Sequence, residues 1–132
     1  MKKEELIKEE FINKHSELDT NAIQSKVFRW REIHAGNCVM QDGSTLILYS
    51  DGVAKFESVV WTNHTHSGDT WLHVISVQDF RGLELFSSPG MKGPNHMNDG
   101  NPPPRYQFGP IFFNFDASKF DAAQMAVAHS SC

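Results

Sequence analysis

Apolar and polar residues alternate on both sides of a short polar turn in the segment from Val53 to Asp79. Alternation with a period of two residues is typical of β-strands that bury one face. A two-residue turn at Gly68-Asp69 would join the two halves into a hairpin, because glycine accepts the positive φ of a type II′ turn. In that register the apolar residues of both strands share one face, and a slip of one residue would destroy the agreement. The register predicts these facing pairs: Ser67 and Thr70, His66 and Trp71, His64 and His73, Thr62 and Ile75, and Val60 and Val77.

Short β patterns separated by turn signals continue through most of the chain after residue 26. Asp51-Gly52 predicts a hairpin turn into the strand that starts at Val53. Residues 116–120 predict a single helical turn, and residues 122–131 favour a strand over a helix. The expected fold is all-β, an antiparallel barrel or sandwich of about seven to nine short strands. Further strands are predicted at Val27–His34, Cys38–Met40, Thr45–Ser50, Leu83–Phe86, Tyr106–Phe108 and Ile111–Phe115.

The N-terminal segment has a different pattern. Apolar residues recur at helical spacing between residues 2 and 18, with Lys and Glu between them, so an amphipathic helix is predicted there. We expect the helix and its linker to occupy residues 1–26 and a single β domain to occupy residues 27–132. The helix would cover one end of the β domain or serve as an arm that binds a partner. Its apolar positions are Leu6, Ile7, Phe11, Ile12 and Leu18.

The segment 87–105 is predicted to be one long irregular loop. Its glycine and proline residues disfavour the interior of a helix or a strand. A loop of this length in a compact domain is usually a lid, a binding loop or a disordered segment. Because it lacks apolar periodicity, we expect it to be more mobile than the strands.

Length and charge limit the function classes. The 132 residues are enough for one domain with a core and too few for two. A formal net charge of −4 provides no basic stripe, so nucleic acid is not an expected partner. No apolar run is as long as a membrane span, so no membrane association is expected. The charged N-terminus lacks the apolar region of a signal peptide, and the expected location is therefore cytoplasmic.

Two cysteines, Cys38 and Cys132, are too few for a disulfide scaffold or for a cysteine-only zinc site. They are either two reduced thiols, as glutathione favours in a cytosolic chain, or a single bridge between an early strand and the C-terminus. The sequence leaves both alternatives open.

The chain contains the segments FRWREIHAGNC, STLILYSDGVAKFESVVW and DTWLHVISVQDFRGLEL, followed by a terminal cysteine. Together they resemble an uncharacterised family of small bacterial β-domain proteins over residues 27–132. The resemblance implies a β fold, but it implies no chemistry, because the function of the family is unknown. The family pattern does not require histidine at positions 64, 66 or 73. The matching positions are Trp30, Ile33, Ala35, Gly36, Cys38, Asp51, Gly52, Ala54, Phe56, Trp71, Asp79 and Gly82.

Three histidines at one end of the predicted hairpin are the candidate catalytic residues: His64, His66 and His73. A His-x-His strand beside a third histidine can hold zinc, iron or another imidazole-binding ion, with water in the open position. The alternative is a hydrogen-bonded histidine cluster without metal. No cofactor is the first expectation, and zinc or another divalent metal is the second. Imidazoles this close together should be neutral near pH 7, because charging all of them is unfavourable.

Aromatic residues predict a pocket beside these histidines. Trp30, Trp61 and Trp71, with His96 from the 87–105 loop, are the candidate ligand-binding residues. The first function class is a β module that binds a small molecule or a protein partner, with a homodimer as one possibility. The alternative is a small cyclase, isomerase or lyase of a bacterial biosynthetic pathway that uses histidine acid–base chemistry. A closed interior filled by side chains would favour the binding module, and an open pocket with converging His and Asp groups would favour the enzyme.

Overall fold

A computed structural model describes residues 2–5, 8–13 and 22–132 of the chain. These residues form two antiparallel β-sheets, which confirms the all-β fold, but with more strands than expected. A short 3-10 helix, η1, spans Ala117–Lys119 and confirms the predicted helical turn. The strands are β1 (Lys2–Glu5), β2 (Lys8–Asn13), β3 (Gln24–Trp30), β4 (Ile33–Ala35), β5 (Cys38–Met40), β6 (Ser44–Tyr49), β7 (Val53–Thr62), β8 (Asp69–Gln78), β9 (Glu84–Ser87), β10 (Met91–Met97), β11 (Tyr106–Asn114) and β12 (Met125–Ser131).

Each sheet is organised around one long central strand. The first sheet has the order β1-β12-β8-β10, with β9 also paired to β8, and the second has the order β2-β3-β6-β7-β5-β4, with β11 also paired to β7. The edges of the two sheets approach each other where β10 lies beside β11 and β1 lies beside β4. The sheets therefore enclose one core in a nearly closed, barrel-like arrangement.

The predicted hairpin between β7 and β8 is wrong. Strand β7 pairs with β5, β6 and β11, whereas β8 pairs with β9, β10 and β12. Residues 63–68 therefore carry the chain from one sheet to the other. Gly68 keeps a positive φ of 90°, and its lack of a side chain admits His96, whose Cα would lie 2.9 Å from a Cβ at this position.

The predicted faces of β7 and β8 are nevertheless correct. Alternate residues of β7 and of the inner part of β8 are buried. Alternation predicts which face of a strand packs against the core, but it does not predict which other strand pairs with it. The buried residues with these parities are Ala54, Phe56, Ser58, Val60 and Thr62 on β7, and Trp71, His73, Ile75 and Val77 on β8.

The predicted N-terminal helix is wrong wherever this segment is described. Lys2–Glu5 pairs with β12 and Lys8–Asn13 pairs with β3, both as antiparallel strands. Strands β12 and β3 would otherwise present unpaired backbone groups, and pairing there outweighs local helix propensity. The remainder of the predicted helix, at residues 6, 7 and 14–18, lies outside the described residues. Within the described part of the chain, no helix has the length and apolar character needed to cross a bilayer.

The predicted irregular loop is only partly irregular. Met91–Met97 forms β10 on β8, and its register shifts between Gly93 and Met97. The proline in this strand is tolerated because β10 lies at the edge of its sheet, where a missing N–H group breaks no interior ladder. Residues 98–105 lack regular structure, as expected. The predicted strand at 122–131 is confirmed by β12.

Candidate functional site

One end of the barrel gathers the polar residues that the sequence singles out. Strand β7 ends there at Thr62, β8 begins there at Asp69, and the loop 63–68 connects them. Strand β5 begins beside Thr62, since Cys38 pairs with Thr62 in the sheet. We call this region, formed by residues 36–38, 62–69 and 130–132, the crossover end.

A disulfide closes the crossover end. Cys38, at the start of β5, is bonded to Cys132, just after β12, with a Cα–Cα distance of 6.1 Å. The bond therefore joins the second sheet to the first. The sequence left open either two reduced thiols or a single bridge, and the structure contains the bridge. The sulfur of Cys38 is buried, whereas Cys132 is exposed.

A carboxylate lies directly beside this disulfide. Oδ2 of Asp69 is 3.6 Å from Sγ of Cys38 and accepts a hydrogen bond of 2.7 Å from the hydroxyl of Thr62. Asp69 has the same strand parity as Trp71 and His73, so it faces inward at the mouth of the barrel. The sequence analysis treated Asp69 as part of a turn and therefore did not identify it as a site residue. Its strand parity with Trp71 and His73 could have predicted that it faces inward.

His73 lies deep in the core and is completely buried. Its Nδ1 accepts a hydrogen bond from Nε1 of Trp71 at 3.3 Å and lies 2.7 Å from the hydroxyl oxygen of Ser130. Because Nδ1 is an acceptor, the proton of the neutral ring lies on Nε2. Nε2 has no hydrogen-bond partner among the described residues.

Burial fixes the charge state of His73. Loss of hydration, with a smaller contribution from the nearby His129, lowers its pKa from 6.5 to about 3. The ring is therefore neutral at pH 7, and the main cause is burial, with no contribution from His64 or His66. A buried ring in this state takes up a proton much less readily at neutral pH than an exposed histidine does.

His64 and His66 do not join His73. Both lie in the loop 63–68 with exposed side chains, and their rings contact each other at a centroid distance of 4.8 Å. Nδ1 of His64 lies 3.8 Å from Oδ2 of Asp99, and the same carboxylate oxygen accepts the backbone N–H of Thr65 at 3.0 Å. The predicted cross-strand contact between His64 and His73 is wrong because β7 and β8 belong to different sheets and β7 ends before His64. The predicted three-histidine arrangement is therefore absent from the described residues.

The tryptophans also separate into two groups. Trp30 and Trp71 are buried in the core, and the ring of Trp30 packs against those of Phe56 and His73 at centroid distances of 6.3 and 6.4 Å. Trp61 lies on the outer face of β7, where the guanidinium carbon of Arg105 is 3.7 Å from its ring centroid. The three candidate ligand-binding tryptophans therefore do not line one pocket, since Trp30 and Trp71 face the core and Trp61 faces outward.

His96, the remaining predicted ligand-binding residue, lies in β10 with an exposed side chain. Its φ is +55°, and its backbone N–H donates to the hydroxyl of Thr70 at 3.3 Å. It packs close to Gly68, so it borders the crossover end without reaching the core.

A polar cleft opens elsewhere, on the second sheet. It has a volume of about 250 Å³ and is lined by residues 41–45, 57–59 and Gln107. It forms where β7 exchanges one neighbour for another, pairing with β6 up to Glu57 and with β5 from Val60. Sequence reasoning did not find this cleft, because it depends on a change of strand partner that alternation does not encode.

Two buried hydroxyls line the cleft. The Oγ atoms of Ser44 and Ser58 are 2.5 Å apart, and Ser44 also donates to the backbone oxygen of Gln41 at 2.8 Å. Two carboxylates, Asp42 and Glu57, line the cleft, and neither lysine nor arginine does. The cleft therefore offers hydroxyl, amide and carboxylate groups to a small polar molecule.

Residues 45–132 match a family of unknown function, DUF6294, and the match covers more than half of the chain. The chain belongs to DUF6294. This confirms the resemblance to an uncharacterised family. The DUF6294 match includes β7, β8 and β12 but begins at residue 45. Five positions of the resemblance therefore lie outside it: Trp30, Ile33, Ala35, Gly36 and Cys38. No curated protein and no solved structure matches the chain.

Proposed function

We propose that this DUF6294 protein is a binding module for a small polar ligand and that the ligand occupies the cleft formed by residues 41–45, 57–59 and Gln107. The observation that carries the proposal is the contrast between this cleft and the barrel interior. The cleft has a volume of about 250 Å³ and polar walls, whereas the interior is filled by packed aromatic and aliphatic side chains. Ligand sites are concave and present a few converging polar groups.

The histidines support binding rather than catalysis. The enzymatic alternative needs a histidine that changes its protonation state beside the substrate. His73 is buried and has a pKa of about 3, and His64 and His66 project from the loop 63–68. None of the three lines the cleft.

The charge of the cleft selects the class of ligand. The carboxylates of Asp42 and Glu57 accept hydrogen bonds and favour positive charge, although Glu57 also lies 3.6 Å from Nζ of Lys55. The amides of Gln41 and Gln107 can both donate and accept. These groups suit a neutral or cationic molecule that carries several hydrogen-bond donors, such as a polyol or an amine. An anion would meet two carboxylates without a lining cation.

The test is a titration of ¹⁵N-labelled protein with a panel of monosaccharides, small polyols and primary amines. We expect at least one compound to cause saturable shifts of the backbone amides of residues 41–45 and 57–59. Glu57→Gln should weaken its binding roughly ten-fold, because a hydrogen bond to a charged group contributes about 1.5–3 kcal/mol. Glu84→Gln is the matched control, since Glu84 is exposed and lies outside the cleft.

Two results would contradict the proposal. The first is the absence of saturable shifts at the cleft with every class of compound in the panel. The second is a saturable shift that maps to the crossover end and is abolished by replacing His64 and His66. That result would show that the ligand binds at these histidines rather than in the cleft.

A further inference from the structure

Three metal-ligating groups converge at the crossover end. The Sγ atoms of Cys38 and Cys132 and a carboxylate oxygen of Asp69 all lie within 4.8 Å of one another. Thiolate and carboxylate groups are both zinc ligands, and three protein ligands with a water in the fourth position are a common zinc arrangement. In the oxidised chain the two sulfurs are consumed by the bond between them.

We propose that the reduced protein binds one divalent, thiol-preferring metal ion such as Zn²⁺ through Cys38, Cys132 and Asp69, and that the disulfide is the metal-free oxidised state of the same site. A metal site made of these residues is independent of the polar cleft on the second sheet. It also differs from the predicted three-histidine site, because it uses none of those histidines.

The two cysteines differ in burial. Cys38 is buried and fixed within the sheet by its pairing with Thr62, whereas Cys132 is exposed and follows the last strand. Two thiolates on a tetrahedral zinc ion lie about 3.7 Å apart, given Zn–S bonds of about 2.3 Å. After reduction, rotation of the exposed Cys132 side chain can supply this separation, and the Cα–Cα distance of 6.1 Å leaves room for it.

Asp69 is already oriented for the same role. The hydroxyl of Thr62 donates to Oδ2 of Asp69 at 2.7 Å, and this hydroxyl also lies 3.2 Å from the backbone oxygen of His64. The same Oδ2 lies 3.6 Å from Sγ of Cys38. A carboxylate oxygen has two lone pairs, so Oδ2 can accept this hydrogen bond, which orients it, and still bind a metal. The half-buried position of Asp69 leaves access for a water as the fourth ligand.

The conversion of the disulfide into the zinc-bound dithiol conserves electrons and protons. A cellular dithiol transfers two electrons and two protons to the Cys38–Cys132 bond and becomes a disulfide itself, which leaves two thiols on the protein. Binding of Zn²⁺ then releases the two thiol protons to solvent, because the thiolate is the ligand. The site therefore exists only where reducing thiols maintain the dithiol, as in a cytosolic compartment.

The experiment compares metal binding by the oxidised and reduced full chains. Protein is reduced with a phosphine, freed of excess reagent without oxygen, and titrated with Co²⁺ and then with Zn²⁺ against a chromophoric chelator. We expect one ion per reduced chain, with a thiolate-to-cobalt charge-transfer band, and no such binding by the oxidised chain. Asp69→Asn should weaken zinc binding roughly ten-fold or more while retaining the charge-transfer band.

Asp99→Asn is the matched control at the same end of the barrel. It makes the same change of charge next to His64, and it should leave zinc affinity unchanged. His64→Ala with His66→Ala should also bind zinc as the parent does. Cysteine variants are not used, because they could fail to bind zinc simply by failing to fold. Far-ultraviolet circular dichroism of the reduced parent chain shows instead whether the reduced protein keeps its fold.

Any of three outcomes would overturn the proposal. Reduced protein that binds no zinc, or that loses its fold, has no such site. Cobalt bound without a charge-transfer band is not held by the cysteines. Equal losses of affinity in Asp69→Asn and Asp99→Asn would show that general charge, rather than coordination by Asp69, holds the ion.

Discussion

His73 and the pair His64 and His66 are close in sequence, yet they occupy opposite environments. His73 lies on the inner face of β8 and is fully buried, whereas His64 and His66 lie in the loop 63–68 and are exposed. The difference comes from where β7 ends. An alternating pattern assigns a face only while the strand continues, and β7 ends at Thr62.

The same contrast separates the packed core from the polar groups of this fold. The inner faces of β7 and β8 form an aromatic core in which a neutral histidine serves as a packing residue. The second sheet carries the polar cleft where β7 changes partner, and the crossover end carries the disulfide and Asp69. In the described part of the chain, these polar groups lie in the cleft and at the strand ends, whereas the core is packed with aromatic and aliphatic side chains.

The largest expected effect concerns the bond that fixes the crossover end. Replacing both Cys38 and Cys132 by serine should lower the free energy of unfolding by about 4–5 kcal/mol, because the bridge closes a long loop in the unfolded chain. The sequence separation of the two cysteines is 94 residues. Urea unfolding with and without a reducing agent measures the loss. The reducing agent should not affect the double variant, and a loss below about 1 kcal/mol in that variant would contradict the prediction.

Removing the inner histidine should have the next largest effect. His73→Ala should cost about 3 kcal/mol, because it leaves a cavity among Trp71, Phe56 and Trp30. His73→Phe should restore most of that loss, since a ring of similar shape refills the space. Chemical denaturation of the two variants checks this. Equal losses in both would mean that the hydrogen bonds of His73, rather than its packing, stabilise the core.

Acid should destabilise the protein through the same residue. The pKa of His73 is about 3 in the folded protein and 6.5 in an unfolded chain, so the unfolded state binds the extra proton between these values. The contribution is fully present above about pH 6.5 and is lost as the pH falls towards 3. Between pH 6.5 and 4.5 it should amount to roughly 2–3 kcal/mol. Urea unfolding at several pH values measures the slope, which should be smaller in His73→Phe; an unchanged slope would assign the acid sensitivity to other groups.

The surface histidines should show the smallest effect. Substituting alanine for His64 and for His66 should change the free energy of unfolding by less than about 0.5 kcal/mol, as is usual for exposed positions. Thermal and urea unfolding of the double variant tests this. A loss comparable to that of His73→Ala would remove the contrast between the two sites.

The sequence predicted which residues are buried better than it predicted which strands pair with each other. The alternating residues of β7 and β8 placed Phe56, Val60, His73 and Ile75 correctly in the core. The pairing of β7 with β8 was wrong because an inward face is compatible with any adjacent strand. The N-terminal residues Lys2–Glu5 and Lys8–Asn13 were predicted to be helical, but backbone pairing with existing sheet edges determines their structure.

The functional residues were harder to predict because they depend on long-range contacts. The inward position of His73 followed from its parity, but its contact with Ser130 and the contact of Asp69 with Cys38 join strands that are distant in sequence. The polar cleft forms where β7 changes its pairing partner from β6 to β5. The local sequence of β7 does not predict such a change. The mobility expected for residues 87–105 stays a prediction, although Met91–Met97 forms a strand within that segment.

The most direct test of the central claim, that the interior is closed and His73 is a packing residue, is a nuclear magnetic resonance titration of its imidazole nitrogens. We expect His73 to remain neutral from pH 7 down to about pH 4, with its proton on Nε2, because its pKa is lowered to about 3 and its Nδ1 accepts the hydrogen bond of Trp71. The same spectrum should not change when a ligand occupies the cleft. Protonation of His73 between about pH 6 and 7, the range of an exposed histidine, would contradict the account, because it would show that water or a ligand reaches the interior.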